Sequence, residues 1–457
     1  MIASVAPLQT LNKVGLYLLA ATVAVAAVTI SVDQFSLPAP TAANEVAPHL
    51  RFGPKSFAAA LELAAGPIAL GRERVARAPD QWAYQESYAR ALMGRARLTG
   101  SFDDLLAARL ALMRGRADAP KGAGPLLTDA VSNLTIHRLA PIASTLTLLD
   151  GAAVPADRGD QAEALAIRGD VAFYSGKYSA AWRTYRAAAQ MDNGPGIAVR
   201  AANYFKKMGR FDDAIRQLEY AMKSVKAPTP QFYANMMLQK GVIELDRGNW
   251  ETATRLFLLA DATFPGHWLI KAHLAQMTAL GGDLDGAEQQ YRTILAKAGS
   301  EIAMPEVMDA LAALYRARGD AKNSRYWSDR AGALWTRRLS QLPEAAYGPA
   351  LEHELVLGNP ARALDLARLN FAARPYGDSC IMLAMALLAN GRPQEAVAIL
   401  KAAEQTGWRT AQQYVVLSQA SAMLGQVQAS EDSRPKALAL NPKAFDPASS
   451  LIWFGNH

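Results

Sequence analysis

Cysteine is all but missing from this chain: Cys380 stands alone among 457 residues. A single thiol can form no intramolecular disulfide and cannot build a thiolate metal site. It lies in the apolar run CIMLAMALL, the setting of a small buried hydrophobe. Histidine is scarce too, with six residues. His353 is flanked by Glu352 and Glu354, but neighbouring helix positions point to different sides and do not converge on a metal. His267 and His273 have no third ligand at a useful spacing. No nucleophile is paired with a base and no ligand set clusters, so the sequence assigns no active site, cofactor or metal. It reads as a non-enzyme without a small-molecule substrate.

Blocks of one charge are lacking as well. The 48 Lys and Arg alternate with 41 Asp and Glu, for a net charge of +7, as on solvated helix faces. RNA reading by helical repeats needs a basic and stacking pattern at fixed positions, and none recurs, which excludes nucleic acid as a partner. Gly169 and Gly176-Lys177 have the wrong spacing for a phosphate loop, with Tyr178 where Ser or Thr is needed. Asp283-Leu284-Asp285-Gly286 begins like a calcium loop but lacks the later oxygen ligands.

Only one apolar run is long enough to concern a membrane. Residues 1–13 carry one side-chain charge, Lys13, and Val14–Ile30 is then uncharged up to Asp33. A span of residues 14–32 fits a transmembrane helix of roughly 17–25 residues better than a signal-peptide core of about 7–15. Ala24-Val25-Ala26 has the form of a cleavage site, so a signal peptide remains the alternative. With positive charge before the span, residues 1–13 are expected in the cytoplasm and the rest outside it. This predicts a bacterial inner-membrane protein, single-pass with a periplasmic domain, or a periplasmic protein if residues 14–32 are removed. Residues 33–55, with several prolines, read as a linker.

What the chain has in abundance is helical periodicity with a repeating turn. Apolar residues make up 51% of it, many of them Ala, as closely packed helices need. From Ala234 to His267 two helical patterns flank Asp246-Arg247-Gly248-Asn249 and stop at Pro265. Gly241 and Ala253 allow close approach of the two helices, while Trp250 and Phe257 fill the space beside them. The turn glycine recurs as Gly176, Gly209, Gly248, Gly282, Gly319, Gly358, Gly391 and Gly425. Five residues after each stands Ala or Ser, and seven further on another mostly small residue. Repeats at such a period stack into a solenoid, each burying its apolar face on the next.

These residues resemble the tetratricopeptide repeat family. The third copy matches at Gly241, Gly248, Trp250, Ala253, Phe257, Ala260 and Pro265, the first at Gly169, Gly176, Tyr178, Ala181, Tyr185 and Ala188. The resemblance implies an all-α, right-handed superhelix of antiparallel helix pairs: eight repeats over residues 161–445, with degenerate helical repeats as an N-terminal cap over 56–160. Beyond them an apolar C-terminal tail at 446–457, ending in Leu451-Ile452-Trp453-Phe454, is expected to dock on the solenoid's end, with an exposed recognition motif as the alternative. Helices are expected at Phe57–Ala65 and Ile68–Ala78, broken by Gly66-Pro67. Departures fall at Ser324, Ser430, Pro360, Pro393 and Pro435.

In the family, positions 2, 5, 9, 12 and 13 of each first helix line a concave groove. The implied groove residues are Asn203, Lys206 and Lys207 in the second copy and Asn235, Leu238, Val242 and Asp246 in the third. The fifth gives Glu306, Asp309 and Arg316, and the seventh Ile381, Met385 and Leu388. Val199 stands where the family's carboxylate clamp has a basic residue, so that clamp is not implied. The expected function is a protein-binding scaffold, with an exported holdase for unfolded clients as the alternative.

Overall fold

The computed structural model describes residues 50–298 and 304–454. The segment read as a membrane helix, residues 14–32, and the linker before residue 50 lie outside them. Among the described residues no helix is long and apolar enough to cross a membrane. They form twenty-one α-helices and one 3-10 helix, with no strand. Five helices come first: α1 (Phe57–Arg77), α2 (Trp82–Thr99), α3 (Phe102–Asp118), α4 (Leu126–Thr135) and α5 (Ile142–Asp150). Eight antiparallel pairs follow: α6 (Arg158–Tyr174) with α7 (Tyr178–Met191), α8 (Pro195–Lys207) with α9 (Phe211–Ser224), α10 (Pro230–Asp246) with α11 (Trp250–Thr263), and α12 (Trp268–Leu280) with α13 (Leu284–Ala298). Then come α14 (Pro305–Ala317) with α15 (Ala321–Gln341), α16 (Pro343–Val356) with α17 (Pro360–Ala373), α18 (Gly377–Ala389) with α19 (Pro393–Gln405), and α20 (Ala411–Met423) with α21 (Val427–Leu440).

Helix starts follow local chemistry. The side chains of Ser56, Ser101, Asp157, Thr229 and Asn359 each accept a first-turn amide. Pro360 and Pro393, which replace the expected aromatic, open their helices, where a missing N–H costs nothing. The break expected at Gly66-Pro67 does not occur, since α1 is continuous. Pro67 removes the amide that Leu63 would bond, but Leu63 is 65% exposed and its carbonyl can turn to water. Pro435 lies inside α21 on an exposed face in the same way.

The first and third pairs are each closed by a glycine facing a ring. A Cβ built at Gly169 would overlap Tyr185, and one at Gly241 would overlap Phe257. Seven of the eight turn glycines have φ between 70° and 91°, a region other residues enter at a cost. Gly358 is the exception; there the Asn359 cap shapes the turn. Ser324 and Ser430, which replace Ala, are accommodated by hydrogen bonds, to the Ala312 carbonyl at 2.9 Å and with Ser418 Oγ at 3.0 Å.

Distant repeats also touch, which the repeat pattern alone did not predict. The Trp268 indole donates to the Leu98 carbonyl at 3.1 Å, 170 residues away. The Gly377 amide donates to the Tyr178 hydroxyl at 2.8 Å across 199 residues, and Arg337 pairs with Asp103 across 234. The Arg409 amide reaches the Lys207 carbonyl, and Gly248 abuts Asn441. These separations are about five to seven repeats of ~34 residues, so the stack coils back on itself. Accordingly α1 rests on the middle of the stack: Ala60 shares a core with Phe205, Leu238 and Phe257, and the Phe57 amide donates to the Pro265 carbonyl at 3.1 Å.

Candidate functional site

Contact between distant repeats decides what becomes of the groove positions. Lys206 and Lys207, at the end of α8, are buried. The Lys206 ammonium lies 3.2 Å from Asp246 and that of Lys207 2.7 Å from Asp378, the second residue of α18. Lys207 also sits 5.7 Å from the Trp408 ring centre. Burial lowers the pKa of Lys206 despite Asp246. At Lys207 burial acts downward too, but Asp378 and Asp246 outweigh it and the pKa is raised. The two lysines thus hold a seam between α8, α10 and α18 and do not project into a groove.

Other positions divide by exposure. Asn235 is exposed; Asn203, Asp246, Glu306, Arg316 and Met385 are half-buried. Leu238, Val242, Ile381 and Leu388 are core residues at 4%, 1%, 1% and 1% exposure. An α-solenoid packs first helices side by side, so apolar side chains at positions 5, 9 and 12 are covered by the adjacent repeat. Asp309 is buried as well: its carboxylate accepts from the Trp335 indole at 2.7 Å and lies 2.7 Å from His353 Nδ1. Burial raises the Asp309 pKa against the pull of His353. Glu306 pairs with Arg338, and Arg316 donates to the Val356 carbonyl. The structure thus unites Lys206, Lys207 and Asp246 in one cluster and Glu306 and Asp309 in separate pairings. Asn235 is left facing outward, and the half-buried Met385 accepts from Gln412 Nε2 at its sulfur, 3.6 Å away.

Chemistry is sparse elsewhere. Among the described residues no three His, Cys, Asp or Glu side chains could hold a metal ion. Burial, with Asp378 adding, pushes the Cys380 thiol up to about 11, so it stays protonated near neutrality. Asp283 Oδ1 accepts the Gly286 amide at 2.8 Å and Asp285 pairs with Arg318, so both carboxylates are engaged in capping and ion pairing.

Sequence reasoning passed over the fourth copy, where the structure shows a recognition-like contact. Gln276 falls at position 9 of that copy, in register with Asn203, Val242 and Met385, and is fully buried. Its Oε1 accepts the backbone amides of Trp453 at 2.6 Å and Phe454 at 2.8 Å. Phe454 is itself fully buried, against Tyr291 and His273. The 3-10 helix Pro447–Leu451 touches α12 and α14, and Leu451 and Trp453 pack on the fourth-and-fifth-repeat core. The tail therefore docks, but on first helices in the middle of the stack, where the expectation was its end. A lone glutamine in the apolar run of α12 was the available signal.

No family model matches the chain, and no curated protein does. Among solved structures it is similar to PilW, a type IV pilus biogenesis factor, with 15% identity, 48% of this chain and 96% of that one covered, and a TM-score of 0.37. A tetratricopeptide repeat protein from Parabacteroides merdae gives 14%, 59%, 98% and 0.33 in the same order. Yeast Tom70 gives 12%, 80%, 96% and 0.35. Likenesses this distant say nothing of what this chain binds.

Proposed function

We propose that this stack of tetratricopeptide-like helix pairs is a non-enzymatic protein-binding scaffold, held at the bacterial inner membrane by residues 14–32 and facing the periplasm. The observation that carries the binding role is the tail contact: a side chain at a groove position already holds an extended backbone of the protein's own chain. The first helix of the fourth repeat thus presents a group suited to peptide backbone. The membrane tether is supported by the uncharged run Val14–Ile30. Asn235 is the exposed groove residue, and Met385 is half-buried beside Gln412 at the seventh repeat. Asn235→Arg with Met385→Glu should reduce capture of a stoichiometric partner from membranes while the thermal unfolding curve stays in place. Undiminished capture by the folded double variant would sink the groove as the binding surface, and broad suppression of aggregation in place of discrete capture would indicate a holdase.

A further inference from the structure

The tail contact is incomplete in one telling respect. Gln276 Oε1 takes two amides, yet Nε2 of the same side chain, buried in the groove, has no acceptor among the described residues. Nor does the buried indole N–H of Trp453. An extended peptide presents N–H and C=O groups alternately, and a side-chain amide can pair with one of each. Among its described residues the chain's own tail offers Gln276 two N–H groups and no carbonyl. Leaving buried donors unmet weakens a contact. Before Phe454 the tail is half-buried or exposed, with Leu451, Ile452 and Trp453 packed only partly on the core, so its deepest hold is one aromatic anchor and one glutamine.

We propose that the groove at the fourth repeat is a binding site for an extended protein segment in which an apolar residue precedes two aromatics. The chain's own Leu451-Ile452-Trp453-Phe454 occupies it in cis as a displaceable stand-in. This rests on the scaffold reading and adds to it the chemistry of the partner and a built-in competitor. Gln276 pairs with the partner's backbone, and the space between His273 and Tyr291 receives its second aromatic side chain. A partner that also supplies a carbonyl to Nε2 makes a bond the tail does not, and so displaces it.

The probe is a fluorescent synthetic peptide of residues 447–457, titrated by anisotropy against three full-length proteins: the intact chain, the chain ending at Asp446 and the Phe454→Ala variant. The two tail-disabled proteins should bind the peptide at least ~10-fold more tightly than the intact one, a gap of about 1.4 kcal/mol. Gln276→Ala should remove that gain. In the intact chain, hydrogen exchange at the Trp453 and Phe454 amides should quicken when excess unlabelled peptide is added. Equal binding by all three proteins, or no binding by a tail-disabled protein with intact helical dichroism, would overturn the proposal. So would an intact chain that is a dimer and becomes monomeric on truncation, because the occupant would then be a second copy's tail. Failure here is separable from failure of the scaffold: a partner captured equally with and without the tail leaves the scaffold standing and removes only the competitor.

Discussion

Glycine shows how far a single residue's meaning depends on what faces it. A Cβ at Gly377 would overlap the indole of Trp408, which is fully buried, and the Gly377 amide also holds Tyr178 across the seam. Gly377→Ala should therefore destabilise the protein by about 1–3 kcal/mol through overpacking. Gly94 lies inside α2 on an exposed face with nothing within 4 Å of its Cβ position. There the same substitution should stabilise by roughly 0.5–1 kcal/mol, since it relieves only backbone entropy. Urea unfolding of the two variants checks the opposite signs. The small-and-aromatic pairing of Gly241 with Phe257 was legible in the sequence because both partners lie in one repeat. Gly377 with Trp408 joins α18 to the segment between α19 and α20, and no spacing rule connects them.

At the scale of elements, most helices and turns were legible because caps, prolines and glycines act locally, the exception being Gly66-Pro67, which α1 runs through unbroken. The landing places of α1 and of the tail were not, because they depend on how the stack coils. The junction of α1 with α12 contains His267, whose ring meets Phe57 edge-on at 5.4 Å. Burial lowers its pKa to about 4, against 6.5 for a free imidazole. Below pH 6.5 the unfolded chain binds a proton that the folded one refuses, so stability falls as pH drops from about 6.5 toward 4. His267→Gln should flatten this part of a melting-temperature profile, and an unchanged slope would show that other groups govern it. The seam between α8 and α18 gives a second expectation. Asp378→Ala strands the buried Lys207 charge and should cost about 3–5 kcal/mol, whereas Lys207→Met with Asp378→Leu should cost much less. A double-mutant cycle by chemical denaturation separates the two cases.

For the molecule as a whole, an all-α stack of helix pairs was legible and the consequence of coiling was not. Groove positions such as Lys207 and Asp309 were carried over from open solenoids, where such side chains face solvent. Here contact between distant repeats turns the first into a seam, and the Trp335 and His353 pairings absorb the second. Removing Leu451 to His457 uncovers the site around Gln276 and Tyr291, so the melting temperature should drop by several degrees, as expected for losing about 2–3 kcal/mol of aromatic burial. An unchanged melting temperature would count against a docked tail. The central claim is that variable residues on the first helices, and not the outer faces of the second, meet a protein partner. Site-specific photo-crosslinking in cells tests it most directly, with the crosslinker at Asn235 on α10 or at Glu251 on α11, both exposed positions. The account predicts one discrete adduct from Asn235 and none from Glu251. An adduct from Glu251 with none from Asn235 would contradict it.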